Sequence, residues 1–227
     1  MCQIKHIFSI VFLATLLGSC SENPSHSAGS IFSFINNDKD NSSLLAADVK
    51  EPVDLLKWVE DPSNKLRQEK KIGETVYSLQ YRPSEYIFIK DHPLDSLPKD
   101  NIKKEISFLS QMQYYTLRIK IEDFPDEFLK FNMSNGETYD ERVSYFSFEM
   151  QKDLQLVDGE DTLPCRMFHF ERTFNVEPFG NFLIAFENPN KEKPKEKRFI
   201  YEDRNFGTGK VQFTIPEKNL IDLPHLY

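Results

Sequence analysis

The sequence predicts an α+β domain dominated by antiparallel β-sheet, folded in the manner of a sandwich, with a few short helices set before and between the strands. Three patterns lead there. Between Met112 and Asp123 the side chains alternate, with Tyr115, Leu117, Ile119 and Ile121 on one side and Thr116, Arg118 and Lys120 on the other. A strand dry on one face and wet on the other belongs to antiparallel sheets. Second, two β-capable runs, 66–72 and 75–81, flank Gly73-Glu74, and a two-residue link with glycine first predicts a hairpin with a type II′ turn. Third, Leu55, Trp58 and Val59, and separately Ile102, Ile106 and Leu109, recur at helical spacing.

The elements follow in chain order. Pro52 near the first helical position opens a short helix over 52–60 that carries the single Trp of the chain. Residues 61–64 read as a loop. In the second strand of the hairpin Tyr77, Leu79 and Tyr81 share a face, and Pro83 ends it. The apolar run 86–89 is too short to classify. Residues 101–111 predict an amphipathic helix, 112–123 the alternating strand, and 125–131 and 137–145 two short helices. From Phe146 the pattern reads as period two, Phe148, Met150, Leu154 and Leu156 alternating with Glu149, Gln151, Asp153 and Gln155. A turn at 158–161 leads to a strand from Cys165 through Phe174, then another over 181–187. The charged stretch 190–198 reads as a solvated hairpin loop. Strands at 198–203 and 210–216 precede a terminal tail, 220–227, expected to pack down.

The first two dozen residues have a different character. Lys5 leads into an apolar run from Ile7 to Leu17, within the roughly 7–15 residues of a signal-peptide core and short of the ~18 needed to cross hydrocarbon as a helix. Leu17-Gly18-Ser19-Cys20 follows, and this order resembles the lipobox of bacterial lipoproteins. The resemblance covers residues 1–22 and implies that Cys20 receives a diacylglyceryl group (palmitate among its acyl chains) and becomes the mature N-terminus. It divides the chain into a signal peptide over 1–19, a polar tether over 20–51 and one globular domain over 52–227. Ser21 after the cysteine is compatible with sorting to the outer membrane, and Glu22 loosely resembles an acidic surface-export tag. A lipid-anchored envelope protein is therefore expected, on the periplasmic or the surface face, with the membrane as partner through Cys20.

Composition narrows the remainder. The 227-residue chain carries a net charge of −8, and loss of Lys5 with the leader makes the mature form one unit more acidic. A nucleic-acid surface is not expected. With 8 glycines there is little from which to build phosphate cradles of glycine-rich loops, while 20 phenylalanines and 9 tyrosines supply an aromatic core. Of the three cysteines, Cys2 leaves with the leader and Cys20 is lipidated. Cys165 then stands alone in an oxidising compartment, most simply as a small buried apolar side chain.

The chemistry-bearing stretch is Cys165-Arg166-Met167-Phe168-His169-Phe170-Glu171-Arg172. Alternation places Cys165, Met167, His169 and Glu171 together and Phe168 and Phe170 opposite them. Thiol, thioether and imidazole suit copper, imidazole with carboxylate suits zinc or iron, but same-face neighbours on a strand lie nearly 7 Å apart and cannot converge on one ion unaided. No metal and no cofactor is expected. His169, Glu171 and Arg172 are instead expected to form a surface binding patch, with the phenylalanines toward the core. Pro164-Cys165 before His169-Phe170-Glu171 reverses the zinc-deaminase order and lacks its second cysteine. Asp203-Arg204-Asn205-Phe206-Gly207 echoes a calcium loop, but the twelfth position is Thr214, which cannot supply the bidentate carboxylate. A non-catalytic, lipid-anchored binding or assembly protein with an envelope protein partner is the expected function. The alternatives are an envelope metalloprotein or enzyme using His169 and Glu171, and a lipoprotein that neutralises a toxin.

Overall fold

A computed structural model describes residues 49–92, 94, 101–133, 136–172 and 177–227, all within one compact unit, Ser42–Tyr227. The leader, Cys20, the tether up to residue 48 and the end of the strand expected to reach Phe174 lie outside the described residues.

Helix α1, Pro52–Glu60, buries Leu55, Trp58 and Val59, the three positions at helical spacing. A 3-10 turn over Pro62–Asn64 delivers the chain to the hairpin of β1, Arg67–Ile72, and β2, Thr75–Arg82. Ile72 pairs with Thr75 across the turn. Gly73 has φ +60 while Glu74 keeps a negative φ, the sign pattern of a type II′ turn, which a residue with a Cβ adopts only under strain. The unclassified run forms helix α2, Ser84–Lys90, directly after Pro83. Helix α3, Ile102–Leu109, follows, its Ile102, Ile106 and Leu109 only partly buried against the core, and then β3, Met112–Ile121. In place of a helix over 125–131 there is a single 3-10 turn, Phe128–Lys130.

Helix α4, Tyr139–Ser144, starts at a capping box in which the Thr138 hydroxyl accepts from Glu141 N–H and the Glu141 carboxylate accepts from Thr138 N–H. Here the structure corrects the period-two reading that began at Phe146. The coil continues as a wider π turn, Tyr145–Glu149, and a 3-10 turn, Met150–Asp153. Phe146 and Met150, four apart, are both fully buried, whereas Phe148 between them is 71% exposed. One inward helical stripe satisfies the apolar residues better than an alternation that would have buried Phe148 as well.

The remaining strands are β4, Leu154–Asp158, β5, Asp161–Pro164, β6, Met167–Glu171, β7, Phe179–Glu187, β8, Lys197–Glu202, and β9, Lys210–Ile215, before helix α5, Glu217–Ile221. Two sheets result, with orders β1-β2-β3-β7-β6 and β5-β4-β8-β9, and every neighbouring pair is antiparallel. The charged stretch 190–198 is therefore not a hairpin loop: it carries the chain from β7 in one sheet to β8 in the other.

Aromatic side chains join the two sheets. Tyr77 meets Tyr201 at 6.1 Å between ring centroids, and Phe199 meets Tyr115 at 5.6 Å and Phe186 at 5.9 Å. A second cluster gathers where Phe128 and the coil over 139–153 pack on β7. Phe128 lies 5.2 Å from Phe146, and Phe170 stacks on Phe182 at 4.8 Å. Gly180 is required there, because a Cβ on it would sit 2.5 Å from the Phe128 ring.

A polar tie also crosses the core. Asp158 and Lys197 face each other on β4 and β8 with Nζ 2.9 Å from Oδ2, and both are buried, at 0% and 3% exposure. Gln113 of β3 donates from the opposite sheet to the same carboxylate oxygen at 2.8 Å and to Glu187 O. Burial lowers the Lys197 pKa, and the hydrogen bond to Asp158 works against that. The C-terminal tail packs down as expected. Glu85 of α2 accepts from the Leu226 N–H and lies 3.0 Å from the His225 ring, and Tyr227 sets its ring against Phe88.

Candidate binding face

Strand β6 is one margin of the five-stranded sheet, and its Phe168 and Phe170 turn inward onto Phe182. His169 and Glu171 turn outward and are exposed. Arg172 parts from them. Its guanidinium donates to the Tyr139 hydroxyl at 2.7 Å and lies 5.6 Å over that ring, while Tyr139 donates to the buried Glu127 at 2.5 Å. The expected trio is thus a pair on the sheet face and an arginine anchored to α4. Cys165 precedes β6 instead of sharing its outer face. It is buried, its thiol donates to Met167 O at 3.2 Å, and burial pushes its pKa up to about 12. Among the described residues no group of three or more His, Cys, Asp or Glu is placed to hold a metal ion.

The calcium-loop echo is a plain turn. The Asp203 carboxylate is consumed by its own turn, accepting from the N–H groups of Asn205, Phe206 and Thr208 and from the Thr208 hydroxyl. Such an Asx turn needs no ion. His92 lies 2.8 Å from Phe88 O and against the Phe88 ring.

What the strand register adds is the company that His169 and Glu171 keep. Reading across the outer side of the sheet, Arg67, Gln80, Thr116, Leu183 and His169 form one row of facing residues. Glu69, Ser78, Arg118, Asn181 and Glu171 form the next. Arg82 and Tyr114 begin a third. With Lys71 paired to Glu122 and Glu187 to Arg166, the face keeps Arg67, Arg82, Arg118 and Lys120 against Glu69 and Glu171, in a protein of net charge −8. Its rim is exposed and its middle half-buried. Helices α1 and α2 reach the face over β2, where Gln80 donates to Val59 O at 3.0 Å and the Arg82 guanidinium lies 5.7 Å from the Tyr86 ring. Arg118 lies flat over Phe179 at 4.0 Å and donates from Nε to Asn181 Oδ1 at 3.0 Å. Burial lowers its pKa, and the charges of Arg67 and Arg82 lower it further, while Glu177 and Glu171 raise it. Alternation in the sequence marks the wet side of β3, Thr116 and Arg118 included, but carries no sign of the arginines that the neighbouring strands bring beside it.

The fold and face together define a two-sheet α+β protein with a basic surface on one sheet of an acidic molecule. No protein-family model matches the chain, and no curated protein does. A solved structure that resembles it is a DUF4426 family protein from Pseudomonas aeruginosa PAO1, at 9% identity and a TM-score of 0.32, the match covering 66% of this chain and 92% of that one.

Proposed function

We propose that this is a lipid-anchored protein of the cell envelope, held at the outer membrane through acylated Cys20, whose folded domain, 52–227, is a non-catalytic binding or assembly module. The outer side of the five-stranded sheet is its binding surface. The observation that carries the binding role is that this side gathers Arg67, Arg82 and Arg118 on three adjacent strands with no carboxylate among the described residues in contact with them, an arrangement that favours recognition over stability, since like charges on adjacent strands repel. Anchoring rests on Leu17-Gly18-Ser19-Cys20 and on the apolar run before it. Several acyl chains would hold the protein essentially permanently, at about 0.8 kcal/mol per buried methylene.

Two measurements test the two halves. Intact mass of the envelope-extracted protein is expected to show loss of residues 1–19 and addition of acyl chains at Cys20, and Cys20→Ser is expected to keep the leader and lose the lipid. A Cys20→Ser product that sediments with envelopes just as the native protein does would remove the anchor. A photo-crosslinker placed at Asn181, in the middle of the face, is expected to capture an envelope component, and one placed at Arg198, on the other sheet, is not. Equal capture from both positions would remove the binding surface.

A further inference from the structure

We infer that the outer face of the five-stranded sheet binds a tetrahedral oxyanion of the phosphate class between the guanidinium groups of Arg67, Arg82 and Arg118, with the Thr116 hydroxyl as a further donor. The inference deepens the binding role proposed above by naming its ligand chemistry, and it does not depend on the anchor.

The three arginines stand on three adjacent strands, and register brings them around Thr116. Arg67 and Thr116 face Gln80 from either side, Arg82 is two residues beyond Gln80, and Arg118 is two residues beyond Thr116. They are close enough that Arg67 and Arg82 each disfavour the charge on Arg118. Arginine does not escape such crowding by losing its proton. Yet among the described residues none of the three has a carboxylate within ion-pair distance, although Arg142, Arg166 and Arg204 of the same chain are paired at 2.6, 3.0 and 2.5 Å. Asp91 interacts with Arg82, and Glu171 and Glu177 with Arg118, only from beyond that range.

A second, independent observation points to a missing acceptor at the same place. The Thr116 Oγ1, on a residue 8% exposed, and the Arg82 Nε are both shut off from solvent and have no hydrogen-bond partner among the described residues. A buried donor left unpaired is costly, and two such donors beside three cations that lack a contacting carboxylate call for one group that is all acceptor and strongly negative. A carboxylate has two oxygens and saturates one guanidinium fork. Phosphate has enough oxygens to meet three forks and a hydroxyl together. Arg118 spends its Nε on Asn181, which leaves its terminal nitrogens for the ligand. The arginine stems are flexible, so that they close over the anion as it reaches Thr116.

The ligand's source is free phosphate or a lipid phosphate headgroup, and the test separates them. The full-length protein in neutral detergent is titrated with sodium phosphate, sodium acetate and sodium chloride at matched ionic strength, with binding read by phosphorus-31 line broadening and by calorimetry. Phosphate is expected to bind at least about tenfold more tightly than acetate, and Arg82→Gln, Arg118→Gln and Thr116→Val each to weaken it, the arginine changes by about tenfold or more. Unaltered Trp58 fluorescence establishes that the variants fold, and Arg198→Gln, on the other sheet, is expected to bind as the native protein does. Competition with short-chain phosphatidic acid, phosphatidylcholine serving as control, assigns the source. Displacement marks a headgroup site, and its absence marks a site for free oxyanion. A phosphate response equal to chloride, tighter binding of acetate, or binding that survives all three substitutions would overturn the inference. The acyl mass at Cys20 is read separately, so failure here leaves the anchoring proposal where it stood.

Discussion

Replacing Lys197 by methionine tests the polar tie between the sheets most directly. The substitution keeps the length and apolar stem of the side chain but removes the ammonium 2.9 Å from Asp158 Oδ2. Asp158, at 0% exposure, is then left with one donor, Gln113, on Oδ2, while its Oδ1 already lacks a partner. Breaking a buried pair by removing one member costs about 3–5 kcal/mol, because an uncompensated charge stays behind in a medium that solvates it poorly. The retained Gln113 hydrogen bond places Lys197→Met toward the lower end. For a domain of this size a loss of about 3 kcal/mol lowers Tm by roughly 6–12 °C. Urea unfolding followed by the fluorescence of Trp58, which is 5% exposed, reads the change directly. Asp158→Leu combined with Lys197→Met removes both charges, and Gln113 keeps Glu187 O as an acceptor. The double variant is therefore expected to be more stable than Lys197→Met alone. A Lys197→Met protein within about 1 kcal/mol of the native one would refute the reasoning, because that is the behaviour of a solvated pair.

Other outcomes follow from single contacts. Gly180→Ala is expected to destabilise by about 1–3 kcal/mol through overpacking against the Phe128 ring, and Phe128→Leu in the same chain should recover part of that in the same unfolding assay. Cys165, buried and with its thiol pKa pushed up to about 12, is expected to stay unmodified by a thiol reagent at pH 8 and to react fully in denaturant; rapid labelling of the native protein would contradict its burial. The hydrogen bond to Glu85 raises the His225 pKa above 6.5, against a smaller lowering by burial. A folded-state value above the unfolded one means that the contribution is complete below about pH 6.5 and is lost as pH rises through the folded value. Amide exchange at Leu226 is accordingly expected to quicken from pH 6 toward pH 8 beyond its intrinsic base-catalysed rise, and His225→Ala should abolish the excess.

The parts of the fold that could be read from the sequence are those in which one local requirement has one solution. Gly73-Glu74 between two β-capable runs leaves little but a hairpin, Leu55, Trp58 and Val59 leave little but a helix, and Tyr115 to Ile121 leave little but a half-buried strand. Where two periods fit the same residues, sequence misled. Phe146, Met150 and Leu154 are even-numbered, as a strand face would be, and four apart, as a helix stripe would be; only the exposure of Phe148 decides. Lys197 was equally opaque. A lysine at the end of a charged run reads as solvated, and nothing local announces Asp158, 39 residues away, as its buried partner. For the candidate site, the pattern found the outward His169 and Glu171 but grouped Arg172 with them, because alternation says nothing about a residue just past a strand's end.

The basic face is illegible for a deeper reason, and the reason bears on what the face does. Arg67, Arg82 and Arg118 belong to no common motif, and only the pairing of β1 with β2 and of β2 with β3 makes them neighbours. A sheet face that merely meets water would place opposite charges across the strands, where each such pair contributes roughly 0.2–1 kcal/mol. The chain has acids to spare for this, with 36 Asp and Glu against 28 Lys and Arg, and it uses them so at Lys71 and Glu122, and at Arg166 and Glu187. At the centre of the face it sets Ser78, Gln80 and Thr116 among the arginines instead, neutral side chains that leave the positive potential standing. Within a screening length of about 8 Å that potential is felt by whatever arrives, so an anionic group is drawn toward this face of an otherwise acidic molecule.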